Sequence, residues 1–119
     1  MNAQLTGAEI EHRAVDFLQQ AGISVLHRNF RCKLGEIDLI ARDNATLVFI
    51  EVRYRQNSNY GDPAETVTGT KQQKIITTAQ FYLQTRTWAS KLPCRFDVIA
   101  MSKSPDSPEI NWIKDAFHA

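Results

Sequence analysis

Two neighbouring runs of the chain, 35–42 and 47–53, sort their residues with a period of two. Ile37, Leu39 and Ala41 interleave with Glu36, Asp38, Ile40 and Arg42, and Val48, Ile50 and Val52 interleave with Leu47, Phe49, Glu51 and Arg53. Alternation of this kind belongs to strands, and Asp43 and Asn44 between the runs are turn formers, so the stretch predicts a β-hairpin. A two-residue turn at Asn44 and Ala45 sets Asp38 directly opposite Glu51. It also gathers Glu36, Asp38, Glu51 and Arg53 on one face and leaves the other apolar. One further loop residue would send Asp38 and Glu51 to opposite faces, so the reading hangs on the register.

Helical spacing appears twice. Thr6-Gly7-Ala8-Glu9 has the form of a capping box and Gly22 stops what it starts. Between them Ala8, Ala14, Val15 and Leu18 form an apolar stripe that encloses Glu11, a costly place for a carboxylate. Glu9 shares the other face with His12, Arg13 and Asp16, and capping with surface pairing accounts for it. A second helix is predicted from Thr70, opened by Thr70-Lys71-Gln72-Gln73, to about Arg86, with Ile75, Ile76, Ala79, Tyr82 and Leu83 inward. Three further strands are predicted, over 23–31, 94–101 and 110–113, the last followed by a loose tail. The polar stretch 56–69 reads as a loop and 88–93 as a connector. Helix, three strands, helix, two strands gives a layered α/β domain with a mixed five-stranded sheet flanked by helices.

The hairpin carries the candidate chemistry. Two carboxylates about 5 Å apart across a strand pair repel unless something positive lies between them. A divalent metal would serve, since hard cations such as magnesium take oxygen ligands and neutralise charge on a phosphate. The plain alternative is a solvent-facing hairpin in which Glu51 pairs with Arg53 or Arg55. Lys71 and Lys74 in the first turn of the second helix stand where a helix attracts anions, which suits phosphate contact, and solvated lysines are the other reading. Arg55 is a further candidate for backbone contact, and Tyr60, on the loop beside the hairpin, is a candidate for stacking on a base.

At 119 residues the chain fits one domain, 1–119, with a single core. A net charge of +1 does not announce a nucleic-acid binder, so any basic surface must be local. Residues 28–74 hold eight basic side chains against six acidic ones. Cys32 and Cys94 have no metal-binding spacing. No apolar run approaches the roughly 20 residues that span a bilayer, and the polar start is unlike a signal peptide, so a cytoplasmic protein without membrane contact is expected.

Gly35-Glu36-Ile37-Asp38-Leu39-Ile40 followed by Val48-Phe49-Ile50-Glu51-Val52-Arg53-Tyr54-Arg55 resembles the central motif of the PD-(D/E)xK nuclease superfamily. With Cys94-Arg95-Phe96-Asp97, and from Thr6-Gly7 to Trp112-Ile113, the chain more closely resembles the bacterial YraN family, which is similar to archaeal Holliday junction resolvases. The resemblance implies a restriction endonuclease-like three-layer domain. It implies magnesium or manganese held by Asp38, Glu51 and a helical glutamate that falls on Glu11. It also implies a DNA substrate, branched or otherwise structured, and a two-fold homodimer. On this reading Arg53 stabilises charge on the phosphate and Glu36 supports the ligands from behind. Arg53 departs from the pattern, which has lysine there, and this favours a second reading, a nucleic-acid-binding module that has kept the fold and lost the chemistry. A third is a structural or interaction protein whose acidic cluster pairs internally with Arg53, Arg55 and Arg95.

Overall fold

The computed structural model describes residues 6–55, 67–102 and 109–119. The chain forms α1 (Gly7–Gln20), β1 (Ser24–Cys32), β2 (Gly35–Asp43), β3 (Thr46–Arg55), α2 (Gly69–Gln84), α3 (Thr87–Ser90), β4 (Cys94–Ser102) and β5 (Glu109–Phe117). Thr6 caps α1 as expected, its hydroxyl accepting from the Glu9 amide at 3.1 Å. At the other end Gly22 takes φ 85, a conformation glycine adopts without Cβ strain. There the Ile23 amide donates to the Leu18 carbonyl and the Gly22 amide to that of Gln19. This double bond pattern satisfies two carbonyls the helix would otherwise leave open, and Ile23 packs in the same cluster as Leu18.

The five strands form one sheet in the order β1-β2-β3-β4-β5. All neighbours are antiparallel except β3 and β4, whose parallel pairing requires a crossover, supplied by α2 and α3. Helices pack on both faces. Ala14, Val15 and Leu18 of α1 meet Leu39, Val48, Ile50 and Ile99 on one side. On the other, Ile75, Ile76, Ala79 and Tyr82 of α2 meet Ile40, Leu47, Phe49 and Phe96. The hairpin therefore does not have one polar and one apolar face. Both faces are apolar along most of its length, and the acidic row is confined to the end beyond Leu39 and Ile50.

Other expectations need correction. Ala8 is exposed and the half-buried Ile10 takes its place in the α1 stripe. The cap of α2 is Thr68, whose hydroxyl accepts from the Lys71 amide at 3.3 Å, so the helix begins one residue before Thr70. Leu83 is only half-buried while Thr78 is buried, its hydroxyl donating back to the Lys74 carbonyl at 2.8 Å. The connector contains the short helix α3. The tail is not loose. β5 runs to Phe117, which is buried and stacks on Phe96 with ring centroids 5.1 Å apart.

That last strand is held by a buried carboxylate. Asp97 is 0 % exposed. It accepts from Arg95 Nε at 3.0 Å, from the Trp112 indole at 2.9 Å and from the Asp115 amide at 2.8 Å. Asp115 has φ 55 and the β4-β5 register shifts between Phe96 and Val98, the distortion that turns its amide toward the acid. Arg95 also bridges to Asp43 at 3.1 Å. A buried charge this fully bonded fixes register rather than doing chemistry. Arg95 is thus committed to Asp97 and Asp43, not to the acidic row of the hairpin.

Candidate functional site

The β2-β3 ladder pairs Asp43 with Thr46 and continues to Leu39 with Ile50, the register of a two-residue turn at Asn44 and Ala45. Asn44 makes that turn with φ 54, a conformation asparagine tolerates. Beyond Leu39 the ladder stops. Ile37 packs on the α2 side although Leu39 packs on the α1 side, so strict alternation fails across Asp38. In place of a backbone partner, the Val52 amide donates to Asp38 Oδ2 at 2.9 Å. The Asp38 and Glu51 side chains lie within hydrogen-bonding reach of each other.

Glu51 is 4 % exposed, in a strand otherwise filled by Leu47, Val48, Phe49 and Ile50. Lys71 Nζ lies 2.7 Å from Glu51 Oε2, and Arg53 Nη1 lies 3.5 Å from the same oxygen. Lys71 arrives there because Thr68 fixes the start of α2 and Gly35 allows the helix close to the hairpin. Gly35 has φ 153, and a Cβ on it would stand 2.7 Å from Thr78 Oγ1. With both cations on Glu51, a proton shared by the two acids is best held by Asp38. Burial first, and then the neighbouring Glu51, push Asp38 up to about 7, against the opposing pull of the Val52 amide and Lys71.

Asp38 lines two cavities. On the α2 side an open cavity of about 260 Å³ is lined by Glu36, Asp38, Glu51, Lys71 and Lys74 among others. On the α1 side one of about 310 Å³ is lined by Glu11, Asn29, Asp38, Val52 and Tyr54 among others. The structure thus brings Asp38, Glu51, Arg53 and Lys71 into one contact group, with Lys74 and Glu36 on the wall of the same cavity. Glu36 is engaged at the rim by Arg31 at 2.9 Å. Glu11 belongs to the other cavity, where its carboxylate accepts from Asn29 Nδ2 at 2.7 Å. Among the described residues no group of three or more His, Cys, Asp or Glu side chains is placed to hold a metal ion. Tyr60 and the side chain of Arg55 lie outside the described residues.

Sequence reasoning missed Asn29 and Tyr54. Asn29 takes φ 52 within β1, opposite the point where the β2 ladder breaks, and turns its amide to Glu11. Its signal was an asparagine inside a strand run, a residue that accepts the left-handed conformation. The Tyr54 hydroxyl is buried and has no hydrogen-bond partner among the described residues. No described helix is long and apolar enough to cross a membrane.

A sequence model described as "Uncharacterised protein family UPF0102" matches residues 10–101. A UPF0102 protein of Pseudomonas savastanoi pv. phaseolicola is 48% identical over 116 residues, covering 96% of this chain and 94% of that one. One from Lachnoclostridium phytofermentans is 45% identical over 119 residues, covering 100% and 98%. One from Nitrosococcus oceani is 44% identical over 111 residues, covering 93% and 90%.

Proposed function

The chain belongs to the uncharacterised protein family UPF0102, and from its carboxyl pair we propose a nuclease-like protein of restriction endonuclease-like fold that acts on structured DNA with magnesium or manganese. The observation that carries this reading is the adjacency of Asp38 and Glu51 in an open cavity walled by Lys71 and Lys74. Two acids held so close that one keeps a proton to about 7 form an all-oxygen donor set suited to a hard divalent cation. Asp38 and Glu51 would hold the ion, with Glu11 contributing from the cavity that Asp38 shares with it. When bound, the ion would lower the pKa of a water and offset charge on a phosphodiester.

The remaining roles belong to the chain itself. Lys74 and the amino end of α2 draw a phosphate into the cavity. Arg53 offers charge and hydrogen bonds to that phosphate but does not exchange protons, since guanidinium stays protonated. Lys71 holds Glu51 in place and moves to the phosphate when Glu51 takes up a cation. The Val52 amide fixes Asp38 so that one oxygen remains for a ligand.

One observation favours a second reading, a module that binds without cleaving. Glu51 already has two cationic partners, and Glu11 is bonded to Asn29 rather than gathered with the other acids. The experiment is a cleavage panel with magnesium and with manganese over linear, single-stranded, flapped and four-way DNA, with Asp38→Ala as control. Cleavage that requires Asp38 supports the nuclease. Binding without cleavage by any metal supports the module, and failure to bind any of the four sinks both.

A further inference from the structure

Far from the carboxyl pair, at the other end of α2, an aromatic surface lies open. Trp88 of α3 is 49 % exposed and Phe81 of α2 is 37 % exposed. The Arg86 guanidinium lies 4.1 Å from the Tyr82 ring centroid and 5.3 Å from that of Phe30. Tyr82 in turn meets Trp88 edge-on at 6.3 Å and Phe30 at 5.1 Å. Among the described residues Arg86 has no carboxylate partner; its Nη1 donates to the Thr85 hydroxyl at 3.0 Å and its guanidinium lies over the Tyr82 and Phe30 rings. A guanidinium plane laid on a ring presents its outer face for a further flat group.

Charge states what that group is. From residue 67 to 96 the chain has no Asp or Glu, yet it carries five basic residues; Lys71 is paired with Glu51 and Arg95 with Asp97 and Asp43, and Lys74, Arg86 and Lys91 make no ion pair among the described residues. β1, which supplies Phe30, is equally free of acids and carries Arg28, and Arg31 paired with Glu36 of β2. A surface both aromatic and cationic fits a ligand that is flat, apolar on its faces and anionic along its length. The scarcity of acids along these two stretches favours a nucleic-acid strand over an apolar protein surface.

We propose that Trp88 and Arg86 form a stacking platform for unpaired bases of a nucleic-acid strand whose backbone runs along α2 toward Lys74 and Lys71. This rests on the nucleic-acid binding of the preceding reading but not on cleavage. At a rise of 1.5 Å per residue, α2 runs roughly 20 Å from Lys71 to its end at Gln84, just before Arg86, about six stacked nucleotides. The chain would therefore select DNA with a single-stranded segment, such as a flap or an opened junction arm, because paired bases show no free face to Trp88.

The test is fluorescence anisotropy with a labelled 20-nucleotide oligothymidine and a blunt 20-base-pair duplex, using the full chain. Trp88→Ala and Trp88→Leu should each weaken oligothymidine binding roughly 5- to 100-fold, the range one stacked base commands, while duplex binding changes less than twofold. Trp88→Phe should keep most of the affinity. Leucine preserves apolar bulk and removes the π-face, so a loss shared by the alanine and leucine variants with unchanged melting temperature is specific to stacking. Unchanged oligothymidine affinity in both variants overturns the platform, as does an equal loss on both DNAs. If the wild type binds duplex but not oligothymidine, the platform fails and the broader binding reading stands. A switch from dimer to monomer in Trp88→Ala, seen by sedimentation, would make the patch a subunit contact and overturn it too.

Discussion

Asparagine in place of Asp38 tests the carboxyl pair without disturbing its shape. In the unfolded chain this acid titrates near its ordinary value of 3.8, and in the folded chain it holds its proton to about 7. Between those values the folded state binds a proton that the unfolded state has released, so stability falls as pH rises through the window and levels off above it. The interval corresponds to about 4 kcal/mol at 1.36 kcal/mol per pKa unit. Asparagine is a permanent stand-in for the protonated acid. Its oxygen can accept from the Val52 amide and its amino group can donate to Glu51. Asp38→Asn should therefore match the wild type near pH 4 and exceed it by up to about 4 kcal/mol at pH 8. With a slope of about 2 kcal/mol per molar, urea midpoints should differ by up to about 2 M at pH 8. Repeating the series in a Glu11→Gln background removes the acid that lines the α1-side cavity with Asp38. Magnesium or manganese at pH 8 should narrow the gap by stabilising only the wild type, by about 2.7 kcal/mol at a hundredfold excess over Kd. A stability difference that is constant from pH 4 to pH 8 would refute the shared-proton account.

The cationic wall is tested by salt: neutralising Lys71 and Lys74 together should lower the slope of log affinity against log salt by about 1.8 on duplex DNA, and an unchanged slope means the phosphate contacts lie elsewhere. Arg53→Lys should keep any cleavage within about tenfold, near 1.4 kcal/mol, while Arg53→Ala should lose far more, both read as initial rates at matched stability. If Arg53→Lys instead creates cleavage the natural protein lacks, arginine has replaced a working lysine. Gly35→Ala should cost about 1–3 kcal/mol in urea denaturation through its φ and the contact with Thr78, and adding Thr78→Ala should recover only part of that loss. Asp97→Ala should destabilise by roughly 3–5 kcal/mol, since it strands the Trp112 and Asp115 donors and leaves Arg95 with Asp43 alone, and a midpoint unchanged within error would rule out the network described for β4 and β5.

The amino-acid sequence by itself determined the local elements and offered the hairpin register that the structure adopts. Period two marked β2 and β3, and Asn44, able to take a positive φ, set the two-residue turn that puts Asp38 in line with Glu51. Thr6 and Gly22 framed α1, and the mixed five-stranded sheet followed from the order of the elements. These features depend on neighbours a few residues apart, where side-chain type and backbone preference act directly. The cap of α2 was misplaced by two residues because Thr68 and Thr70 are chemically alike, and only the helix's approach to the hairpin selects between them.

Only the tertiary structure decided what each acid faces. Helices on both sides of the sheet made both hairpin faces apolar and left the carboxyl pair at one end, where Lys71 reaches Glu51 from 20 positions along the chain. It separated Glu11 from Glu51 by placing them on different sides of Asp38, which no spacing rule could show. It assigned Arg95 to Asp97 and drew the chain's end into the core through Phe117. Such pairings cost chain entropy that local sequence does not record, and they form only where burial removes the water that would otherwise satisfy each charge separately.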